Sequence, residues 1–225
     1  MPLETKPEVT KTVTSQPSSP STIKQFPTCG QKLDSQIGAT IWGGSVVEED
    51  GDPWMVLVYM FDREKENVME LDLPETCKVK KKKEMCGGSL IHPQYVLTAA
   101  QCVACRTIYD TAVIIGKNRI SASQIHNLDY MEDNMVFLSS VHIYPTYNRD
   151  PSQLDFKNNP DVALLKLETA VTLGPKINVI CLPNDPSRLY EGNTKIVAGW
   201  GWDEDYKISD KLKEAYVTVL PNEEC

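Results

Sequence analysis

The chain has 225 residues, 41% of them hydrophobic, and a formal net charge of -8, enough for one large hydrophobic core or two small ones. The negative charge argues against nucleic acid as a general partner, and no run approaches the roughly 20 apolar residues of a membrane span. Seven cysteines lack the paired spacings of a zinc site, so we predict an extracellular disulfide framework with no metal or other cofactor.

Residues 1–28 are rich in Pro, Ser, Thr and Lys and have almost nothing to bury. We predict a disordered linker here, with a docking peptide as the alternative. The segment has no apolar stretch of the kind found in a signal peptide. Either secretion is encoded upstream or Met1 is not the natural start, and we expect the sequence to be a fragment at both ends.

Eight strands are predicted between residues 54 and 220. In the third of these strands, apolar residues recur with a period of two and β-branched residues are present, and both features favour extended structure. The Gly-Gly pair that precedes the second strand favours it as well. The predicted strands are Trp54–Tyr59, Ser89–Ile91, Tyr95–Ala100, Thr111–Gly116, Met135–Val141, Asp161–Leu167, Lys195–Gly201 and Leu212–Leu220.

The second and third strands lie in the segment CGGSLIHPQYVLTAAQC, which runs from Cys86 to Cys102. This segment resembles the CGGSLI and VLTAAHC pattern of chymotrypsin-like serine proteases, peptidase family S1. The sequences PWMV, DVALLKL and VAGWG match further motifs of that family. The resemblance covers residues 29–225 and implies an all-β fold of two antiparallel barrels, the first complete and the second only begun.

The same resemblance divides the chain into parts. Residues 41–170 would form the first barrel, 171–191 the crossover and 192–225 the start of the second barrel. The family's GDSGGP motif, which supplies the nucleophilic serine, does not occur in the sequence. We expect it to lie beyond the C-terminal truncation.

The Ser-His-Asp triad of these enzymes needs a histidine that carries a proton between serine and the leaving amine. Asp161 fits the aspartate position, whereas Gln101 stands at the histidine position. An amide has no titratable group near neutral pH and cannot act as the general base. In subtilisin, which has a comparable triad, loss of the histidine costs about 10⁶ in turnover. The three histidines of the chain are not placed to substitute; they are His92, His126 and His142.

The resemblance also implies disulfides and an activation junction. The expected disulfides are Cys86–Cys102, Cys29–Cys181 and an additional Cys77–Cys105, with the partner of Cys225 missing. The junction would lie at Thr40-Ile41, where the family has a basic residue before the isoleucine. Because threonine stands there instead, we do not expect activation by a trypsin-like protease.

An insertion between the first and second strands carries five lysines, Lys78, Lys80, Lys81, Lys82 and Lys83. The like charges of these lysines repel one another, which favours a solvated loop. The alternative is an exosite that attracts an acidic partner or polyanion.

These features predict a secreted, non-catalytic serine protease homologue, resembling the clip-domain homologues of arthropods. Its partner would be an extracellular protein, such as a protease of a proteolytic cascade. Two alternatives remain: an active trypsin-like endopeptidase represented by a partial sequence with an error or variant at Gln101, or a fragment that does not fold stably.

Overall fold

The computed structural model describes residues 29–31, 44–47, 51–60, 84–120, 134–148, 159–185, 187–202 and 208–224. Strands dominate this part of the chain. The strands are β1 (Ser45–Val46), β2 (Met55–Met60), β3 (Glu84–His92), β4 (Tyr95–Thr98), β5 (Thr111–Ile115), β6 (Met135–Ile143), β7 (Ala163–Leu167), β8 (Thr194–Gly199) and β9 (Lys213–Thr218). A short helix α1 (Ala100–Val103) follows β4, and a 3-10 helix spans Asn222–Glu224.

Six antiparallel strands close into a barrel in the order β2-β3-β4-β7-β6-β5. The order is closed because β2 pairs with β3 on one side and with β5 on the other. Aliphatic side chains fill the interior, since alternate residues of each strand point inward. The fully buried members include Val56, Val58, Leu90, Val96, Val113 and Leu165. The predicted fold class, a chymotrypsin-like all-β fold with a complete first barrel, is confirmed.

The outer face of β2 and β5 is buried as well. Leu57, Tyr59 and Ile114 pack there against Trp200 and Leu212. These two strands are therefore almost continuously hydrophobic, as expected for strands covered on both faces. This second cluster joins the barrel to the segments around β8 and β9.

The remaining strands form a three-stranded sheet in the order β1-β9-β8. Ile196 and Val197 of β8 are 46% and 50% exposed. Because successive residues of a strand point to opposite faces, both faces of β8 are open to solvent. The second barrel is thus only partly present in the described residues.

Several predicted strand ends were wrong, and two of them bear on the candidate site. The strand predicted for Tyr95–Ala100 stops at Thr98, because Ala100 begins α1 and its carbonyl accepts the Ala104 amide at 2.8 Å. The strand predicted from Asp161 starts at Ala163, because the Val162 amide turns back to the Pro160 carbonyl at 3.0 Å. Both corrections place Gln101 and Asp161 just outside the barrel strands.

Two connections hold the described N-terminal segments, residues 29–31 and 44–47, against the rest of the structure. Cys29 and Cys181 form a disulfide, and the amide of Gly30 (φ 68°) donates to the Val179 carbonyl at 2.8 Å. Gly44 (φ 71°) passes so close to β9 that an added Cβ would lie 2.9 Å from the Glu214 carbonyl oxygen. In the described part of the chain, no helix is long and apolar enough to cross a membrane.

Candidate functional site

Gln101 and Asp161 meet at one end of the barrel. The backbone amide of Gln101 donates to Oδ1 of Asp161 at 2.8 Å, across 60 residues of sequence. Both residues are exposed. The bond exists because α1 turns the chain at the end of β4, while Asp161 lies just before β7, the strand that pairs with β4. The carboxylate is therefore fixed relative to the backbone at position 101, whatever side chain that position carries.

Two contacts within the segment from Cys86 to Cys102 hold Gln101 in position. A disulfide joins Cys86 in β3 to Cys102 in α1. The hydroxyl of Thr98 donates to the Gly87 carbonyl at 2.8 Å. These two links fix the helical turn that carries Gln101 to the β3–β4 hairpin.

A cleft of about 610 Å³ lies between this end of the barrel and β8. Its barrel side includes Asp161, Thr98 and the Gly87–Ser89 backbone, and its opposite side is formed by the Ile196–Ala198 segment of β8. The lining is mostly apolar, with few polar groups.

Asp52 also lines this cleft, although the sequence did not single it out. It is 3% exposed and has a φ of 45°. Aspartate is among the few residues that adopt this left-handed conformation readily. The available signal was the Asp52-Pro53 pair before a hydrophobic strand, a combination typical of turns, but nothing in it indicates a cleft.

The two described histidines lie on other parts of the barrel surface. The ring of His92 accepts a hydrogen bond at Nδ1 from the Gln94 amide at 3.0 Å, at the turn after β3. Nε2 of His142 lies 2.9 Å from the hydroxyl of Ser140 on β6. Neither residue lines the cleft. His126 lies outside the described residues.

The end of the lysine-bearing insertion is anchored at Glu84. Oε2 of Glu84 accepts a hydrogen bond from Nη2 of Arg106 at 2.8 Å, and the Arg106 side chain is only 5% exposed. The neighbouring Cys105 is disulfide-bonded. The predicted partner Cys77 lies outside the described residues, as do the five lysines of the insertion and the predicted junction at Thr40-Ile41.

Comparisons with known proteins identify the family. The family model described as Trypsin matches residues 41–225. The chain belongs to the trypsin family. Among the described residues of this trypsin-family chain, no three His, Cys, Asp or Glu side chains are grouped closely enough to hold a metal ion.

Individual relatives in the trypsin family are moderately similar. The chain is 31% identical over 210 residues to "Limulus clotting factor C" of Carcinoscorpius rotundicauda, covering 89% of this chain and 18% of that protein. It is 27% identical over 212 residues to "CLIP domain-containing serine protease B4" of Anopheles gambiae, covering 91% of this chain and 52% of that protein. The chain thus spans about a fifth of the length of the clotting factor and about half of the length of the clip-domain protease.

A solved structure has a similar fold. The structure described as "Structure of GrC" matches with a TM-score of 0.60 and 25% identity, covering 82% of this chain and 68% of that one.

Proposed function

We propose that this trypsin-family protein is a pseudoprotease that acts by binding other proteins. The observation that carries the proposal is that the residue whose backbone amide donates to Asp161 is Gln101, which has an amide side chain. In this proposal Asp161, which accepts the Gln101 backbone amide, corresponds to the aspartate that orients an imidazole, but glutamine neither takes up nor releases a proton near neutral pH. Proton transfer from a serine nucleophile would have no carrier at this position.

The expected consequence is a loss of turnover of about 10⁶ relative to a complete triad. The test is hydrolysis of chromogenic peptide amides by protein expressed from the complete transcript. We expect a rate about 10⁶ below that of an active trypsin-family protease assayed beside it, and saturable hydrolysis near the rate of that protease that survives repurification would refute the proposal.

The alternative function is an active trypsin-like endopeptidase whose sequence carries an error or variant at position 101. The 2.8 Å bond between the backbone amide of Gln101 and Asp161 is compatible with it, because a histidine at position 101 would have the same backbone donor. Sequencing codon 101 from independent genomic samples distinguishes the two, since a histidine codon would support the enzyme and a glutamine codon the pseudoprotease.

The proposed setting is extracellular. Disulfides persist in oxidising compartments and are rare in the cytosol, and this chain has the Cys29–Cys181 and Cys86–Cys102 bonds. The names of two relatives, a clotting factor and a clip-domain serine protease, suggest a partner in a proteolytic cascade. A binding role there requires the fold and its loops but not the proton carrier.

The lysine run that ends at Lys83 is the proposed exosite for an acidic partner or polyanion. Its support is the anchoring of the next residue, Glu84, by the buried Arg106. Five lysines on an acidic protein would attract anions locally, with strong salt dependence.

A further inference from the structure

Two segments that lie far apart in the sequence pair at the surface beside the barrel. Residues 118–120 come shortly after β5, and residues 210–212 come just before β9. Two amide-to-carbonyl hydrogen bonds of 2.7 and 2.8 Å join their backbones. Between these bonds, Arg119 lies opposite Lys211 in an antiparallel bridge. The pair is therefore of the type without hydrogen bonds of its own, in which the Cα atoms are only about 4.5 Å apart and the side chains are close together.

Buried side chains hold this pairing in place. Ile120 is 2% exposed and Leu212 is fully buried, and both pack in the cluster that joins the barrel to Trp200. Successive residues of an extended segment point to opposite faces. Arg119 and Lys211 therefore point away from this cluster, and Arg119 is exposed and Lys211 partly exposed.

The result is two positive charges held side by side at the surface. Like charges that face each other across paired segments destabilise the pairing. Among the described residues, no carboxylate forms an ion pair with Arg119 or Lys211. An anion bound between the two side chains would replace their repulsion by two attractions. Because the chain as a whole carries a net charge of -8, an acidic ligand would bind only where cations are concentrated.

The donors of this pair suit a carboxylate. The guanidinium of Arg119 is a planar fork that can donate two parallel hydrogen bonds to one carboxylate, and the ammonium group of Lys211 adds further donors from the same face. A long polyanion gains affinity from many charges neutralised along its length, as nucleic acids do. This pair instead concentrates two charges at one point, which favours a short acidic segment of a protein over a linear polysaccharide.

We propose that the Arg119–Lys211 pair binds a segment of a partner protein that is rich in glutamate or aspartate. This inference rests on the proposed binding function and names the chemistry of the partner. The pair is a different surface from the lysine run that ends at Lys83, because it is built on the two segments that pack against the barrel through Ile120 and Leu212.

The test uses the protein expressed from the complete transcript, with serine in place of Lys78 and Lys80–Lys83 so that the lysine run does not capture the probe. We call this protein the parent. The probe is a labelled, capped peptide Glu-Ser-Glu-Ser-Glu, and its matched control is Gln-Ser-Gln-Ser-Gln. Fluorescence anisotropy at low ionic strength gives the dissociation constants.

Three variants of the parent are compared. Lys211→Met removes one charge of the pair and keeps a side chain of similar length, and Arg119→Met removes the other charge. Lys166→Met makes the same change at a partly exposed lysine of β7, a strand whose neighbours in the barrel are β4 and β6 rather than β5, and serves as the control.

We expect the glutamate peptide to bind the parent and to bind Lys211→Met and Arg119→Met about fivefold more weakly, the scale of one exposed charge pair. Lys166→Met should bind like the parent, and the glutamine peptide should bind none of them. Without peptide, Lys211→Met should unfold at a higher denaturant midpoint than the parent, because it removes the repulsion. This difference should shrink at high salt. A merely structural role of Lys211 would instead lower the midpoint.

Equal affinities of the parent and Lys211→Met for the glutamate peptide would overturn the proposal, as would an equal loss in Lys166→Met. Binding of a heparin oligosaccharide without binding of the peptide would assign the surface to polysaccharides and overturn it too. So would no binding to the folded parent, as when acidic residues of the same chain occupy the pair. The pseudoprotease proposal fails separately, through hydrolysis of peptide amides. A protein without turnover that does not bind the peptide leaves the pseudoprotease proposal standing.

Discussion

Replacing Gly88 by alanine is expected to destabilise the barrel, whereas the same change at the adjacent Gly87 is not. A Cβ at Gly88 would lie 2.9 Å from Cγ1 of Val96, 3.0 Å from Cγ2 of Val56 and 3.2 Å from the Leu97 carbonyl oxygen. Both valines are fully buried, and β-branched side chains have few alternative rotamers. The neighbours therefore cannot move away without disturbing the core.

Overpacking of this kind costs about 1 to 3 kcal/mol. At Gly87 the added Cβ would meet nothing within 4 Å, and alanine reduces the entropy of the unfolded chain. We therefore expect Gly87→Ala to be neutral or to stabilise by up to about 1 kcal/mol. The two variants add the same methyl group at adjacent positions of the chain, so each controls for the other.

The measurement is denaturant unfolding with the disulfides intact, followed by tryptophan fluorescence. A lower midpoint with an unchanged slope reports a loss of stability rather than a change in the unfolded state. Equal midpoints for the two variants would contradict the packing of β3 against β2 and β4.

Three further predictions concern side chains at the surface. Gln101→His should give an imidazole whose pKa, measured by NMR, is raised by the neighbouring carboxylate of Asp161. Adding Asp161→Asn should remove this shift. An identical imidazole pKa in the single and the double variant would exclude contact with Asp161. Replacing Lys80–Lys83 by serine should abolish salt-sensitive retention on heparin, and unchanged retention would eliminate the lysine exosite. The Ser187 hydroxyl and amide lower the pKa of Asp185 by hydrogen bonding, so Ser187→Ala should raise that pKa in a carboxyl titration. A lowered pKa stabilises the native state above the unfolded pKa, so this variant should lose stability at neutral pH and match the wild type in acid; a stability difference independent of pH would contradict this assignment.

The barrel was predicted from the match of several segments to the motifs of one protease family, and hydrophobic patterning supported only some of its strands. β7 alternates buried and partly buried residues from Ala163 to Leu167, but its sequence ALLKL is hydrophobic at four of five positions and does not itself alternate. β2 and β5 have hydrophobic residues on both faces because a second cluster covers them on the outside. The hydrophobic runs of β2 and β5 are visible in the chain without any knowledge of the pairing.

The strand ends were harder to predict, because hydrogen bonds rather than residue types determine them. Ala99 and Ala100 are compatible with a strand or a helix. The helical turn at Ala100 is fixed by the amide of Ala104 and by the disulfide from Cys102 to β3. Neither contact can be inferred from local propensity.

Some parts of the candidate site had no sequence signal. Asp52 lies over 100 residues from Asp161 in the chain, yet both line one cleft. Arg106 is an ordinary basic residue in a polar segment, and only the fold shows that it is 9% exposed and paired with Glu84. Long-range contacts of this kind depend on how the barrel closes and how β8 is placed beside it.

The central claim is that the fold of a trypsin-family protease is kept here without its proton carrier. The most direct test is labelling of the protein from the complete transcript with a serine-reactive fluorophosphonate, using an active trypsin-family protease as the positive control. We predict no labelling, because a serine without a general base is not activated for attack. Stoichiometric labelling that is lost on denaturation would contradict the account and show that Gln101 does not prevent activation of a serine.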